Sequence, residues 1–157
     1  MWKKPHKEEY TRLRAELIGH EAYVYGGHAR TPLEAAAQMG AARFAPALVG
    51  PGQYESGYVP CRIFKTIAAG SLGVTNSPTL RRLFLDEEVT SPEKALSIVV
   101  RPANDHAEDF LQLFEAAEKV LEDRDAAMAK VSRAMEIVRD RHTYLNRLGL
   151  AIKTFAL

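Results

Sequence analysis

The helix and the strand encoded between Gly57 and Ser77 constrain the fold of this chain more than any other segment. Pro60 suits the first turn of a helix, because that position needs no backbone N–H donor, and Gly70 suits the helix end. The apolar stretch Leu72–Thr75 then predicts a short buried strand, which the polar sequence Thr-Asn-Ser-Pro ends. A helix that leads directly into such a strand is a unit of α/β architecture. Ligands of open α/β sheets bind at the carboxyl ends of the strands, so we expect function at this polar exit.

Similar helix starts and apolar segments extend the α/β pattern through residues 1–104. Thr31–Glu34 has the signature of a capped helix start, with proline at the first helical position and an acid three residues after the cap. Ser-Pro pairs at residues 77–78 and 91–92 predict two more starts, and the second helix should run to about Val100. We further expect a helix at Lys7–Ile18 and strands at Ala22–Tyr25, Phe44–Val49 and, more weakly, Glu88–Thr90. Together these elements predict a partial parallel sheet of about three to four strands flanked by helices.

From Asp105 onward the pattern predicts helices alone, as a C-terminal extension of the α/β part. Apolar residues recur every three or four positions, the spacing of one helix face. They form three stripes: Phe110, Leu113, Phe114, Ala117 and Leu121; Met128, Val131, Met135 and Val138; and Leu145, Leu148, Ile152 and Phe155. The last two stripes could instead form one coiled-coil seam, but His142 and Gly149 interrupt it, and two separate helices are preferred. Residues 1–157 are thus interpreted as one domain, with an α/β part (1–104) and C-terminal helices (105–157).

Composition and charge exclude several classes of function. The formal net charge is +1, from 21 basic and 20 acidic residues, so no strong field favours nucleic acid or an anionic membrane. A single cysteine, Cys61, excludes an internal disulfide and a cysteine-cluster metal site. The five histidines show no metal-ligand spacing, so no metal is expected. Because the sequence has neither an apolar run of about 18 residues nor a signal-peptide core, it predicts a cytoplasmic protein without a membrane span.

The glycine-rich segment Gly50–Gly57 and the helix that follows it are the first candidate site. Free backbone N–H groups and the positive end of a helix dipole favour a phosphate group at such a position. Arg62 and Lys65 are three residues apart and share one face of that helix, where they could neutralise a diphosphate. Alternatively both are solvent-facing charges of an ordinary amphipathic helix, which the spacing alone slightly favours. The glycine pattern matches neither common phosphate-binding loop.

Polar and aromatic residues beside this segment complete the candidates. Asn76 and Ser77 follow the strand and could reach a bound ligand, and they could also cap the next helix. Glu55 could accept hydrogen bonds from sugar hydroxyls or be merely solvated, and Tyr58 could stack on a base or sugar or merely pin the loop. Cys61 is expected to be a buried, inert packing residue.

These residues resemble the C-terminal, nucleotide-sugar-binding domain of GT-B-fold glycosyltransferases, which consist of two facing Rossmann-like domains. In that family a helix similar to Glu-Ala-Met-Ala-x-Gly precedes a strand Pro-Val-Val, and here Lys65–Gly70 and Gly73–Val74 occupy these positions. The sequence is closer still to family 1-like glycosyltransferases, in which segments similar to Ala45–Gly50, Gly57–Lys65, Thr75–Ser77 and His142–Arg147 recur. The resemblance covers residues 20–150, roughly, and implies a Rossmann-like fold for the α/β part.

The resemblance also implies a role for each candidate residue. Arg62 and Lys65 would contact the phosphates or the ribose of the donor and act in catalysis. The substrate-binding residues would be Gly52, Glu55, Gly57, Tyr58, Asn76 and Ser77. Many members have a glutamate where Lys65 stands, and a lysine cannot accept hydrogen bonds from a ribose diol, so its role here shifts to a phosphate. The nucleotide sugar is a substrate, and the resemblance implies no separate cofactor and no metal.

A GT-B enzyme also needs an N-terminal Rossmann-like domain for the acceptor, and the sequence has no room for one ahead of Ala22. We therefore expect the donor-binding portion of a glycosyltransferase that uses a nucleotide-diphosphate sugar and is inactive alone. Its partner would be a separate N-terminal half or a second copy bound through the C-terminal helices. The alternative is a non-enzymatic interaction or oligomerisation module built on those helices. The stripe from Leu145 to Phe155 packs toward the other domain in intact members and is expected to be exposed here.

Overall fold

The computed structural model describes residues 29–84, 98–99 and 106–155. These residues form a mixed α/β structure that is mostly helical, which confirms the α/β class. The helices are α1 (Pro32–Ala41), α2 (Pro51–Glu55), α3 (Arg62–Ala68), α4 (Thr79–Leu83), α5 (His106–Leu121), α6 (Arg124–Arg141) and α7 (Tyr144–Phe155). The strands are β1 (Phe44–Pro46), β2 (Leu72–Thr75) and β3 (Ile98–Val99).

The strands form one small parallel sheet in the order β1-β2-β3. Phe44 pairs with Leu72 in the first pair of strands, and Val74 pairs with Ile98 in the second. Strand β2 is buried at all four residues, as expected for a central strand covered on both faces. Because parallel neighbours require a crossover, the chain passes from β1 to β2 through α2 and α3. Both strands consequently end at the same edge of the sheet.

Helices cover both faces of this sheet. Helix α5 contacts all three strands, whereas α3 contacts β1 and β2. Leu72 and Val74 belong to the apolar cluster that α5 completes, and the intervening Gly73 faces α3. A methyl group at Gly73 would lie 2.8 Å from Cδ1 of Ile67, so the glycine allows α3 to pack closely on the strand. Helix α6 contacts both α3 and α5 and connects the two helical layers.

An aromatic cluster joins α3 and α4 to the junction between α6 and α7. The rings of Phe64 and Phe84 have centroids 6.4 Å apart, and the His142 ring lies 5.2 Å and 5.7 Å from them. His142 Nε2 is 3.2 Å from the carbonyl oxygen of Leu83, which can only accept, so Nε2 carries a proton. The guanidinium of Arg147 stands 4.8 Å above the Phe64 ring. His142 thus ends α6 and anchors its C-terminus to the core.

Some predicted boundaries of the α/β part are confirmed and others are wrong. The reciprocal cap between Thr31 and Glu34 is present, with the Glu34 amide nitrogen 3.1 Å from Thr31 Oγ1. The first strand ends at Pro46 and does not reach Val49, because a side chain, not a neighbouring strand, pairs with the Val49 backbone. Ile98–Val99 forms β3 and not the end of a helix, since β-branched residues suit a strand beside β2. The elements predicted at residues 7–18, 22–25 and 88–90 lie outside the described residues.

The C-terminal part consists of separate helices, as preferred from the sequence. Leu113 and Ala117 of α5 are buried, which confirms that part of the first stripe. The chain leaves the helical conformation between α6 and α7, so the alternative of one continuous seam is wrong.

The stripe predicted along α6 matches the face that this helix buries only in part: Val138 is buried and Val131 packs against the core, but the two methionines are exposed. The buried residues of α6 are Ala127, Ala134, Ile137 and Val138. Met128, a member of the predicted stripe, is 58% exposed. Because α6 packs between α3 and α5, it buries two apolar rows of small and branched residues and leaves the methionine row outside. The stripe of α7 is exposed as expected, with Leu145 at 81% and Phe155 at 85%.

Two helical glycines should respond oppositely to the same substitution. A Cβ at Gly40 of α1 would lie 2.6 Å from the carbonyl oxygen of Ala69, so Gly40→Ala must push α1 away from α3. A Cβ at Gly149 of α7 would meet nothing within 4 Å. We expect Gly149→Ala to raise the free energy of unfolding by roughly 0.5–1 kcal/mol through helix propensity. Gly40→Ala should lower it by about 1–3 kcal/mol. Urea denaturation checks both values, and stabilisation by both variants would contradict the close contact.

Acid should weaken the aromatic cluster around His142. Burial lowers the pKa of His142 below its ordinary value of 6.5, the hydrogen bond to Leu83 opposes this shift, and the positive charges of Arg147 and Arg141 add to it. The unfolded chain therefore takes up the proton more readily, and stability is lost as the pH falls from the unfolded pKa through the folded one. The free energy of unfolding should thus fall below about pH 6.5. His142→Phe keeps the ring contacts and should show a flatter pH dependence in denaturant titrations; identical profiles for the two proteins would refute this role.

Candidate functional site

The carboxyl ends of β1 and β2 bring two loop segments together at one edge of the sheet. Residues 47–61 follow β1, and residues 76–78 follow β2. The Ala47 amide nitrogen lies 2.9 Å from the carbonyl oxygen of Val74, which prolongs the strand pairing into the loop. This edge is where open α/β sheets bind ligands, and the segments predicted as a site do meet here.

Three buried polar side chains hold this edge. The Asn76 side chain pairs with the backbone of Val49, its Nδ2 donating to the carbonyl oxygen at 2.9 Å and its Oδ1 accepting from the amide at 2.8 Å. Thr75 Oγ1 donates to the carbonyl oxygen of Ala47 at 2.6 Å. Ser77 Oγ donates to the carbonyl oxygen of Tyr58 at 2.7 Å. All three polar residues are fully buried, so their hydrogen-bonding groups serve the loops that they join.

The glycine-rich segment Gly50–Gly57, in which the sequence predicted free backbone N–H groups, is a compact turn. Residues Pro51–Glu55 form the one-turn helix α2. Five backbone amides of residues 50–58 donate inside the segment, those of Gly50, Tyr54, Ser56, Gly57 and Tyr58. Because these donors are used, the segment is less of an anion cradle than its glycines indicated.

Gly57 positions this turn against the start of α4. It has a φ of +68°, a left-handed conformation that glycine adopts without strain. A Cβ at this position would lie 3.0 Å from Thr79 Oγ1, so the turn and α4 are in close contact. Gly52 and Glu55 are exposed, and the Tyr58 ring is 46% exposed although its carbonyl oxygen is bonded to Ser77. These residues remain accessible to a ligand at the edge.

Helix α3 presents Arg62 and Lys65 to solvent. Its opposite face carries Ile63, Phe64 and Ile67, which are buried against β2 and α6. The chain runs up β1 and down α3, so Arg62, the first residue of the helix, lies at the carboxyl edge of the sheet. Lys65 follows one turn further from the edge, about 4.5 Å along the helix axis. Within the described residues neither cation forms an ion pair, and both are available to an anionic ligand.

Cys61, which precedes α3, is exposed, so the prediction of a buried packing cysteine is wrong. The reason is its place: it stands at the helix start and shares the exposed face of the first turn with Arg62.

The sequence interpretation missed two residues at this edge. Thr75 was placed at the end of a strand and in the Thr75–Ser77 segment without a role of its own, yet its hydroxyl donates to the carbonyl oxygen of Ala47 at the β1 exit. Arg81 in α4 has a buried Nε without a hydrogen-bond partner in the part of the chain that the structure describes. In the sequence, the only feature that pointed to Arg81 was its place in the first turn of the helix that follows the Ser-Pro pair.

The described residues also bear on metals and membranes. Among them no three or more histidine, cysteine, aspartate or glutamate side chains gather in a way that would hold a metal ion. None of their helices combines the length and apolar character that a membrane crossing requires.

Comparison with known families identifies the chain. A family model described as glycosyl transferase-like matches residues 3–152, nearly the whole sequence, and the chain belongs to this family. Neither the curated proteins nor the solved structures contain a significant match. The match covers both the sheet with its carboxyl edge and the helices α5 to α7, so the helical part is an integral portion of the family domain.

The bidentate contact of Asn76 should be more sensitive to substitution than any exposed contact of the same edge. Asn76→Ala leaves the amide and the carbonyl group of Val49 buried without partners, and each costs about 1–3 kcal/mol. We expect the free energy of unfolding to drop by roughly 2–4 kcal/mol. Asn76→Asp should also destabilise strongly, because a carboxylate cannot donate to the Val49 carbonyl oxygen.

The control is Gln53→Ala, which removes an exposed side-chain bond to the Gly50 amide and should cost less than about 1 kcal/mol. Denaturant titrations of the three variants measure the differences. A loss for Asn76→Ala no greater than that for the control would show that the buried amide does not hold the edge.

Proposed function

We propose that this member of the glycosyl transferase-like family forms the donor-binding portion of a glycosyltransferase and binds a nucleotide-diphosphate sugar at the carboxyl edge of its sheet. The observation that supports this most is the place of Arg62: an exposed cation starts a helix beside the edge where open α/β sheets bind ligands. Lys65 adds a second cation on the same helix face. The parallel sheet with helices on both faces agrees with a Rossmann-like donor domain.

In the proposed reaction a glycosyl group passes from the nucleotide diphosphate to an acceptor hydroxyl. The bond between the anomeric carbon and the phosphate oxygen breaks, the acceptor oxygen bonds to that carbon, and the acceptor proton is released. Negative charge develops on the departing diphosphate, and cations aimed at it stabilise the transition state more than the ground state. A guanidinium at Arg62 can bind two phosphate oxygens at once, and Lys65 contributes a compact positive charge.

The side chains of the cations, not the amides of the glycine-rich turn, supply most of this stabilisation. Five amides of the turn donate internally, so few are left for a phosphate. The turn instead borders the proposed site, where Gly52, Glu55 and Tyr58 are exposed. Asn76 and Ser77 hydrogen-bond to the backbones of Val49 and Tyr58, and they would act on the donor indirectly, by fixing these loops.

Lys65 also bears on how the ribose is held. Its ammonium group donates hydrogen bonds and accepts none, so it suits a phosphate better than a ribose diol. Glu55 is the exposed acid of the turn and can accept hydrogen bonds from sugar hydroxyls. We therefore assign the phosphates to the cations of α3 and hydroxyl contacts to Glu55.

Uridine or guanosine diphosphate should bind the full chain and perturb the amide resonances of residues 47–62 and 76–82. Arg62→Ala and Lys65→Ala should each weaken binding about fivefold or more, because each removes a charge-assisted contact to a phosphate. Lys153→Ala, which removes an exposed cation of α7, should leave the affinity unchanged. Calorimetric titration measures the three affinities, and melting temperatures show whether the variants stay folded. Absence of nucleotide binding to the wild type, or an equal loss in the Lys153 variant, would overturn the proposal.

A further inference from the structure

Helix α7 carries an apolar face that the described part of the protein leaves uncovered. The helix packs against α6, and none of its own residues is buried. At 3.6 residues per turn, five of its large apolar side chains fall within an arc of about 100° around the helix axis. This α7 face is between 58% and 85% exposed and consists of Tyr144, Leu145, Leu148, Ile152 and Phe155.

Cations flank the α7 face on both sides. Around the helix axis, Arg147 lies about 60° beyond one edge of the arc and Lys153 about 80° beyond the other. Both residues are exposed, and the twelve residues of α7 include no aspartate or glutamate. The whole chain has a formal net charge of only +1, but the charge beside this face is locally positive. The α7 face therefore complements a negatively charged partner.

Charge and shape decide between the possible occupants of this face. A second copy paired through its own α7 face would bring like charges together, with no acid in either helix to pair with them. A protein partner would have to provide an apolar groove with carboxylates along both rims. An anionic bilayer surface offers apolar chains beneath a helix and negative charge on both sides of it, so it fits a single exposed helix without a matched groove. The observations thus favour the lipid surface.

We propose that α7 binds the surface of an anionic membrane and lies in the plane of the interface, with its apolar face among the lipid chains. The leucine and isoleucine side chains of the face enter the apolar layer, while Arg147 and Lys153 reach lipid phosphates on either side of the helix. Tyr144 stands at the edge of the arc, where its hydroxyl stays at the level of the headgroups. Nucleotide binding at the carboxyl edge of the sheet plays no part in this contact, so this inference and the proposed function are tested separately.

Cosedimentation of the full chain with lipid vesicles tests this contact. The wild type should bind vesicles that contain phosphatidylglycerol, bind neutral phosphatidylcholine vesicles less well, and lose affinity as the salt concentration rises. Leu148→Asp places a charge within the apolar face and should lower the affinity for the anionic vesicles about tenfold or more. Lys153→Glu replaces a flanking cation by an anion and should lower it about fivefold or more.

Leu33→Asp and Arg124→Glu are the matched controls, because they make the same two changes outside α7. Leu33 is an exposed leucine of α1, and Arg124 is an exposed cation at the far end of α6. Each should leave the affinity within about twofold of the wild type. Melting temperatures show whether all four variants stay folded.

Three outcomes would overturn the inference. If the wild type does not bind the anionic vesicles, the α7 face is left to a protein partner. Equal losses in the control variants would mean that general attraction between protein and vesicle, and not α7, accounts for the binding. A dimer in sedimentation equilibrium that Leu148→Asp dissolves would show that a second copy covers the face.

Discussion

The paired hydrogen bonds between Asn76 and the backbone of Val49 hold the carboxyl edge of the sheet, and the candidate site depends on them. Strand β1 has only three residues, so the main-chain ladder stops early. A primary amide offers one donor and one acceptor side by side, which is what the next residue of a strand would offer. The buried Asn76 therefore extends the pairing past the end of the strand. Without it, the segment that leads to α2 and α3 would begin with two unpaired backbone groups in the protein interior.

Helix α3 packs one of its faces against the sheet and presents the two cations of the proposed site on the other. Ile63 and Ile67 pack against the sheet, and Gly73 allows the helix to approach β2 closely. Because the buried face fixes the rotation of the helix, Arg62 and Lys65 have one direction available, toward solvent at the edge. Cations on a rigid element need little reordering when an anion binds, and this lowers the entropic cost of binding. The same segment thus supplies both core packing and charge.

The sequence predicted those features that depend on local patterns. The cap at Thr31, the strand Leu72–Thr75 and the helix before it follow from residue types at fixed spacings, and all three are present. The helix α2 inside the glycine-rich segment was not predictable from glycine and proline content, because its turn is completed by hydrogen bonds within the segment. The buried face of α6 was predicted only in part: Val138 is buried as expected, but the two methionines of the predicted stripe are exposed, because two neighbouring layers decide which side of that helix is covered.

The polar groups at the edge fall into two kinds, and this division determines which ligand it can bind. Thr75, Asn76 and Ser77 are buried and bonded to backbone groups, so a ligand could use them only by breaking those bonds. The accessible groups include the cations Arg62 and Lys65, the carboxylate of Glu55 and the side chain of Tyr58. Charge-assisted bonds to phosphate are stronger than contacts with neutral hydroxyls, so the diphosphate is the part of the proposed nucleotide sugar that suits these cations best. Stacking on the Tyr58 ring distinguishes bases only weakly, so in the proposed complex selectivity between bases has to come from other groups outside the phosphate contacts.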